Sequence, residues 1–121
     1  LTFNEGYNTL ASSLENSVGD YKESYNVKCI NFYDFILKNN ITKINLLKVD
    51  CEGAEYKIFD SIPDEYFSTI DKIHVEFHFN DGEKVKKLIN KLETNGFDWW
   101  FEKERGMLSD IGLIFAKKKS L

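Results

Sequence analysis

The stretch Asn45–Glu55, reading NLLKVDCEGAE, constrains the fold of this chain more than any other feature. An apolar run ends in two acidic residues, Asp50 and Glu52, followed by Gly53 and a segment of helical character. That pattern describes a buried strand delivering carboxylates to its own C-terminal end, where open α/β sheets place their chemistry. Lys48 lies two residues before Asp50, so the two-residue period of a strand sets both on one side. Burying a lysine with an aspartate is costly unless they pair or serve a purpose. The strand is predicted over 44–50, and the short helix after it runs from 53 until Pro63 closes the segment.

The rest of the chain alternates in the same way. Residues 1–24 are polar, rich in Asn, Ser, Glu and Gly, and read as a loop or loosely held arm. A strand is predicted over 25–31, then a helix over 32–40 with Phe32, Phe35 and Ile36 on one side and Asn39-Asn40 as its stop. Residues Asp64 to Phe67 form one further helical turn, and a strand follows over 72–79. The helix over 81–95 has Asn80 as its cap with Glu83 three residues on, and Gly96 as its end. Val85, Leu88, Ile89 and Leu92 keep helical spacing, with lysines 84, 86, 87 and 91 outside. Strands over 97–103 and 110–117 make a hairpin around Arg105–Ser109. Trp99 and Trp100 fall on opposite faces of the first of these, and core packing is expected of both.

At 121 residues and 42% hydrophobic, the chain has apolar material for one core and hardly two. A net charge of −4 gives no electrostatic footprint for nucleic acid, and the ending Lys117-Lys118-Lys119 reads as a solvated tail. No apolar stretch approaches the roughly 20 residues of a membrane span, and no signal-peptide pattern opens the chain. Cys29 and Cys51 fall in predicted strands without a CxxC or Cys/His cluster. They read as reduced, buried thiols of a cytoplasmic protein.

The segment LLKVDCEGAEYKIF resembles the central signature of FkbM-family methyltransferases, enzymes dependent on S-adenosylmethionine that typically methylate oxygen on sugars and other hydroxylated metabolites. The family pattern runs apolar, Leu, Lys, apolar, Asp, apolar, Glu, Gly, small, Glu, and each element stands in the stretch ending at Glu55. Weaker likenesses flank it in Ser12-Ser13-Leu14, in Val27–Phe35 and in Val75-Glu76-Phe77-His78. The resemblance implies an α/β fold, the C-terminal half of a class I (Rossmann-like) methyltransferase sheet, with parallel strands and a closing antiparallel hairpin. The glycine-rich turn of such enzymes, Asp-x-Gly-x-x-x-Gly after a first strand, is missing, for the seven glycines are scattered. With no initiator methionine before Leu1, we read 25–121 as a partial methyltransferase domain whose cofactor-binding residues lie upstream of Leu1.

Methyl transfer to oxygen asks the protein for positioning and for removal of the hydroxyl proton. Asp50, at the end of its strand, is the candidate to orient or deprotonate the acceptor hydroxyl. Lys48 is the second catalytic candidate, pairing with Asp50 or Glu76 to hold the geometry of the site rather than acting as a base. Glu52, Gly53 and Glu76 are the candidate substrate-binding residues, Gly53 because it lets the backbone turn tightly or approach the substrate. Glu55 reads as a first-turn carboxylate stabilised by the helix dipole. Strand alternation sets His74, Glu76 and His78 on one face, and parallel pairing brings Glu76 and His78 beside Lys48 and Asp50. Asp50, Glu76 and His78 then converge as an acid/base group, with His78 a catalytic candidate, or as ligands for magnesium or manganese. The simpler alternative to a metal is a hydrogen-bonded histidine and glutamate under a helix, and no metal site is assigned. His74, near the strand's start, is given no role.

Three functional classes stay open at this point. The first is an O-methyltransferase acting on a hydroxylated small molecule or glycan. The second is a metal-dependent glycosyltransferase holding a nucleotide sugar through Asp50-x-Glu52. The third is a non-catalytic, degenerate methyltransferase module. In the implied fold the signature strand has a neighbour on each side; here one side is left as an unpaired apolar edge, to be covered by more chain or by a second copy. No nucleic-acid or membrane partner is expected.

Overall fold

The computed structural model describes residues 2–6, 21–26, 28–77, 82–103 and 111–119. Strands β1 (Thr2–Gly6) and β2 (Tyr21–Asn26) pair antiparallel in a two-stranded sheet of their own. The sequence instead predicts a loop through most of this stretch and a strand over 25–31. Of that strand Tyr25 and Asn26 are present as the end of β2, whereas residues 28–30 carry no strand. Cys29 and Ile30, part of the apolar run that suggested it, are exposed, Ile30 by 64%. A strand needs a partner as well as a pattern, and the polar segment 21–26 finds its partner far back in sequence.

Helix α1 (Phe32–Lys38) starts where the Asn31 side chain accepts hydrogen bonds from the backbone amides of Tyr33 (2.8 Å) and Asp34 (3.3 Å). It ends at Asn39, whose side-chain amide donates to the Phe35 carbonyl at 2.7 Å, and Asn40 follows at φ 52°. Its inner face buries Ile36, while Phe35 is 42% exposed.

Strand β3 (Leu47–Asp50) carries the signature, and helix α2 (Glu55–Ser61) follows it. Ile62 turns the chain to extended backbone before Pro63, as the proline requires of its predecessor, and a 3-10 helix spans Asp64–Thr69. The Lys91 ammonium donates to the Ile62 carbonyl at 2.8 Å, next to the end of α2. Strand β4 (Lys72–Phe77), helix α3 (Gly82–Thr94), and strands β5 (Phe97–Lys103) and β6 (Gly112–Lys118) complete the chain. The expected α3 cap, Asn80, and the hairpin loop Arg105–Ser109 lie outside the described residues, as does Ser12-Ser13-Leu14.

The larger sheet has the order β3-β4-β6-β5. β3 and β4 run parallel, joined through α2, whereas β6 is antiparallel to both its neighbours. This is a mixed α/β architecture with the predicted closing hairpin, β6 lying between β4 and β5. Alternation along each strand sends Leu47, Val49, Ile73, Val75, Phe77, Ile114 and Ala116 into the core. They pack there with Phe59, Ile62, Phe67, Leu88, Leu92 and Phe97. Leu88 and Leu92 are the buried pair of the α3 apolar stripe, and Val85 and Ile89 flank them half-buried.

Among the described residues, those of opposite parity have no such cover. Lys48, Asp50 and Trp100 are exposed on that face, with His74, Glu76 and Phe115 half-buried. His74 stacks on Phe115 at 4.3 Å between centroids, and Phe115 on Trp100 at 5.4 Å. Trp99 packs against the core and donates its indole N–H to Glu93 at 2.8 Å, but Trp100 is 51% exposed, contrary to the expectation that both pack inside. The reason is alternation: adjacent residues of one strand cannot share the covered face. The basic ending is also more than a solvated tail. Lys118 lies within β6, donates to the Asn95 carbonyl at 2.7 Å, and sits 4.6 Å above the Phe97 ring.

Candidate active site

β3 is four residues long and ends on Asp50. The Lys48 ammonium donates to Asp50 Oδ2 at 3.0 Å, with the aspartate side chain 32% exposed and the lysine 55%. The hydrogen bond and charge of Asp50 raise the Lys48 pKa above its ordinary value, with a smaller push from Glu76. The shift favours the protonated form, so Lys48 stands as the cationic partner of Asp50, as the spacing suggests.

Across the ladder, Asp50 faces Glu76 and Lys48 faces His74. Glu76 thus lies beside Asp50 as predicted. His74, given no role from sequence, is the register partner of Lys48, because parallel pairing begins at Leu47 and Ile73. Its Nε2 is buried and, among the described residues, has no hydrogen-bond partner. His78 lies outside the described residues, so its expected convergence with Asp50 and Glu76 falls there too. Among the described residues no group of three or more His, Cys, Asp or Glu side chains is placed to hold a metal ion.

The turn from β3 to α2 is built on two left-handed residues, Glu52 at φ 49° and Gly53 at φ 104°. Glycine takes such an angle freely; glutamate does so at a cost. Glu55 holds the turn. Its carboxylate is completely buried and accepts the Cys51 amide at 2.8 Å and the Gly53 amide at 3.0 and 3.1 Å to its two oxygens. Glu55 stands in the first turn of α2, as the dipole reading expects, and in addition folds its carboxylate back onto two amides that precede the helix. Sequence reasoning missed this because a first-turn glutamate looks alike whether it faces water or folds back. The nearest signal was the small pair Gly53-Ala54, which leaves room for the carboxylate to reach the turn.

Cys51 lies just past β3, half-buried, and burial raises its thiol pKa above the ordinary value. Cys29 is exposed and outside any strand, contrary to expectation. Both thiols are free. An open, mainly apolar groove of about 280 Å³ is lined by Ile30, Phe32 and Phe35, by Leu47, Lys48, Val49 and Cys51 of β3 and its end, and by Ile58. Among the described residues β3 pairs with β4 alone.

The arrangement offers one half-exposed carboxylate with a fixed cationic partner, a second carboxylate alongside it, and a rigid turn. Among the described residues it does not offer a place for S-adenosylmethionine, the cofactor that the signature implies. No glycine-rich turn joins a strand to a helix among the described residues, and two amides of the β3–α2 turn are occupied by Glu55. The same occupied amides are closed to a nucleotide-sugar diphosphate.

Comparison with known proteins agrees with the signature. The family model described as Methyltransferase FkbM domain matches residues 2–99. Methyltransferase 1 of Beauveria bassiana (strain ARSEF 2860) is 40% identical over 59 residues, which is 48% of this chain and 23% of that protein. The chain thus matches less than a quarter of that relative's length. No solved structure gives a significant match. With the family model spanning most of the sequence, including the strand that carries Lys48 and Asp50 and the turn held by Glu55, the chain belongs to the FkbM methyltransferase domain family.

Proposed function

We propose that this chain supplies the acceptor side of an S-adenosylmethionine-dependent O-methyltransferase acting on a hydroxylated small molecule or sugar. The observation that carries the reading is the Asp50 carboxylate, held 3.0 Å from Lys48 at the C-terminal end of a parallel strand in a chain of this family. Asp50 accepts a hydrogen bond from the acceptor hydroxyl and takes its proton as the oxygen gains the methyl group. Lys48 holds Asp50 in its orientation, while Glu52, Gly53 and Glu76 border the place where the acceptor lies.

The cofactor is held by sequence outside the described residues. Support comes from the sheet, which we read as the C-terminal half of a class I methyltransferase sheet. Its β3 edge is open, with the apolar groove lined in part by β3 residues, and receives either the missing cofactor-binding strand or a second copy. Two free cysteines agree with a cytoplasmic setting, and a net charge of −4 gives no electrostatic footprint for a nucleic-acid partner.

The test uses the protein expressed with the coding sequence upstream of Leu1. It is incubated with methyl-labelled S-adenosylmethionine and a panel of methyl glycosides and polyols. Label in an ether product, lost in Asp50→Asn, is expected. Failure of the extended protein to bind S-adenosylmethionine overturns the reading.

A further inference from the structure

We infer that Glu55 is a positioning residue, whose carboxylate sets the signature turn so that Asp50 and Glu52 are presented to the acceptor. The acceptor part of this rests on the proposed methyl transfer; the turn-setting part does not.

A carboxylate with no exposure is costly unless its oxygens are hydrogen-bonded, and those of Glu55 take backbone amides at 2.8, 3.0 and 3.1 Å. The donors are placed to a purpose. The Cys51 amide belongs to the peptide plane that follows Asp50, and the Gly53 amide to the plane that follows Glu52. Pinning both planes fixes the backbone exit of Asp50 and brackets Glu52 at φ 49°, an angle a glutamate does not keep unaided. Lys48 secures the other end of Asp50 through its side chain. Asp50 is thus held twice, by Lys48 at the carboxylate and through Glu55 at the backbone. A carboxylate placed merely for the helix dipole would sit in solvent on its own first-turn amides and would leave the turn unpinned.

The test compares Glu55→Gln, which keeps the size and removes the charge, with Glu55→Ala. In the 121-residue chain, amide hydrogen exchange is followed by NMR. In both variants the Cys51 and Gly53 amides are expected to exchange about tenfold faster or more, while amides of β4 and β6 keep their protection. In the upstream-extended protein, transfer to the methyl glycoside and polyol panel is expected to fall about tenfold or more in kcat, with S-adenosylmethionine affinity unchanged. Unchanged exchange at Cys51 and Gly53 in both variants overturns the inference. So does an even loss of protection across the chain in Glu55→Gln, which would give Glu55 a global structural role. A wild-type protein that transfers no methyl group sinks the proposed function, and the exchange result still decides whether Glu55 sets the turn.

Discussion

Asp50 and Glu76 stand directly opposite each other across the parallel β3–β4 ladder, and Lys48 pairs with Asp50 along the same strand. Two carboxylates at neighbouring strand ends are tolerated where a fixed cation, Lys48 on Asp50, and access to water offset their charge. That relationship separates the roles of Lys48 and Asp50.

Asp50→Asn is expected to lower methyl transfer by the extended protein about 100-fold or more, since it removes the proposed proton acceptor. Lys48→Met should lower it less, by loosening Asp50 without removing it. Both side chains are solvent-accessible, so the melting temperature of either variant should stay within about 3 °C of the parent. A steep melting loss alongside lost activity would instead make the pair structural.

Phe67 is fully buried and packs its ring against Phe59 at 6.4 Å and Phe97 at 6.3 Å, joining the 3-10 helix to α2 and the sheet. Phe67→Ala is expected to cost about 3–5 kcal/mol in urea unfolding. A cost below about 1 kcal/mol would mean that the core collapses around the gap.

Gly112 and Gly82 should respond oppositely to alanine. A Cβ on Gly112 would run into the rings of Phe77 and Phe101, which stack at 5.8 Å, so Gly112→Ala is expected to cost about 1–3 kcal/mol. At Gly82, in the first turn of α3, a Cβ meets nothing within 4 Å, and Gly82→Ala should be neutral or stabilising by up to about 1 kcal/mol. Urea unfolding of the two variants side by side checks both signs.

Cys51 and Cys29 should separate in alkylation by iodoacetamide near pH 8. Cys29 is exposed, whereas burial raises the Cys51 pKa and keeps it a thiol, so Cys51 should react about tenfold more slowly. The linkage sign follows. The folded state holds the Cys51 proton more tightly than the unfolded chain, so this contribution to stability is complete below the ordinary thiol value. It is lost as pH rises through the raised one. Lys48, raised by Asp50, loses its contribution in the same direction at higher pH still. Unfolding midpoints should therefore decline on the alkaline side from about pH 9 upward, and a midpoint that rises there contradicts the assignment.

The open β3 edge predicts concentration-dependent self-association of the 121-residue chain on its own, seen by sedimentation. Leu46, just before β3, is 58% exposed, and Leu46→Lys should weaken that association. A strictly monomeric parent chain would remove the second copy as the cover for this edge.

The sequence by itself determined the elements whose cause is local. The apolar run into Asp50, the stop at Pro63, the amphipathic 82–94 helix and the two final strands each announce themselves through spacing, caps or breakers, and each forms close to its predicted place. The Lys48–Asp50 pair was legible too, because strand period alone sets residues two apart on one side. Only the tertiary structure decided what depends on a distant partner. It chose Thr2–Gly6 as the mate of Tyr21–Asn26, put His74 beside Lys48, left Trp100 on an uncovered face, and drew Lys118 onto Asn95 and Phe97. It also turned Glu55 back onto the amides of Cys51 and Gly53. A carboxylate's choice between water and a buried turn depends on which neighbours exclude the water, and neighbours brought together by folding leave no period in the sequence.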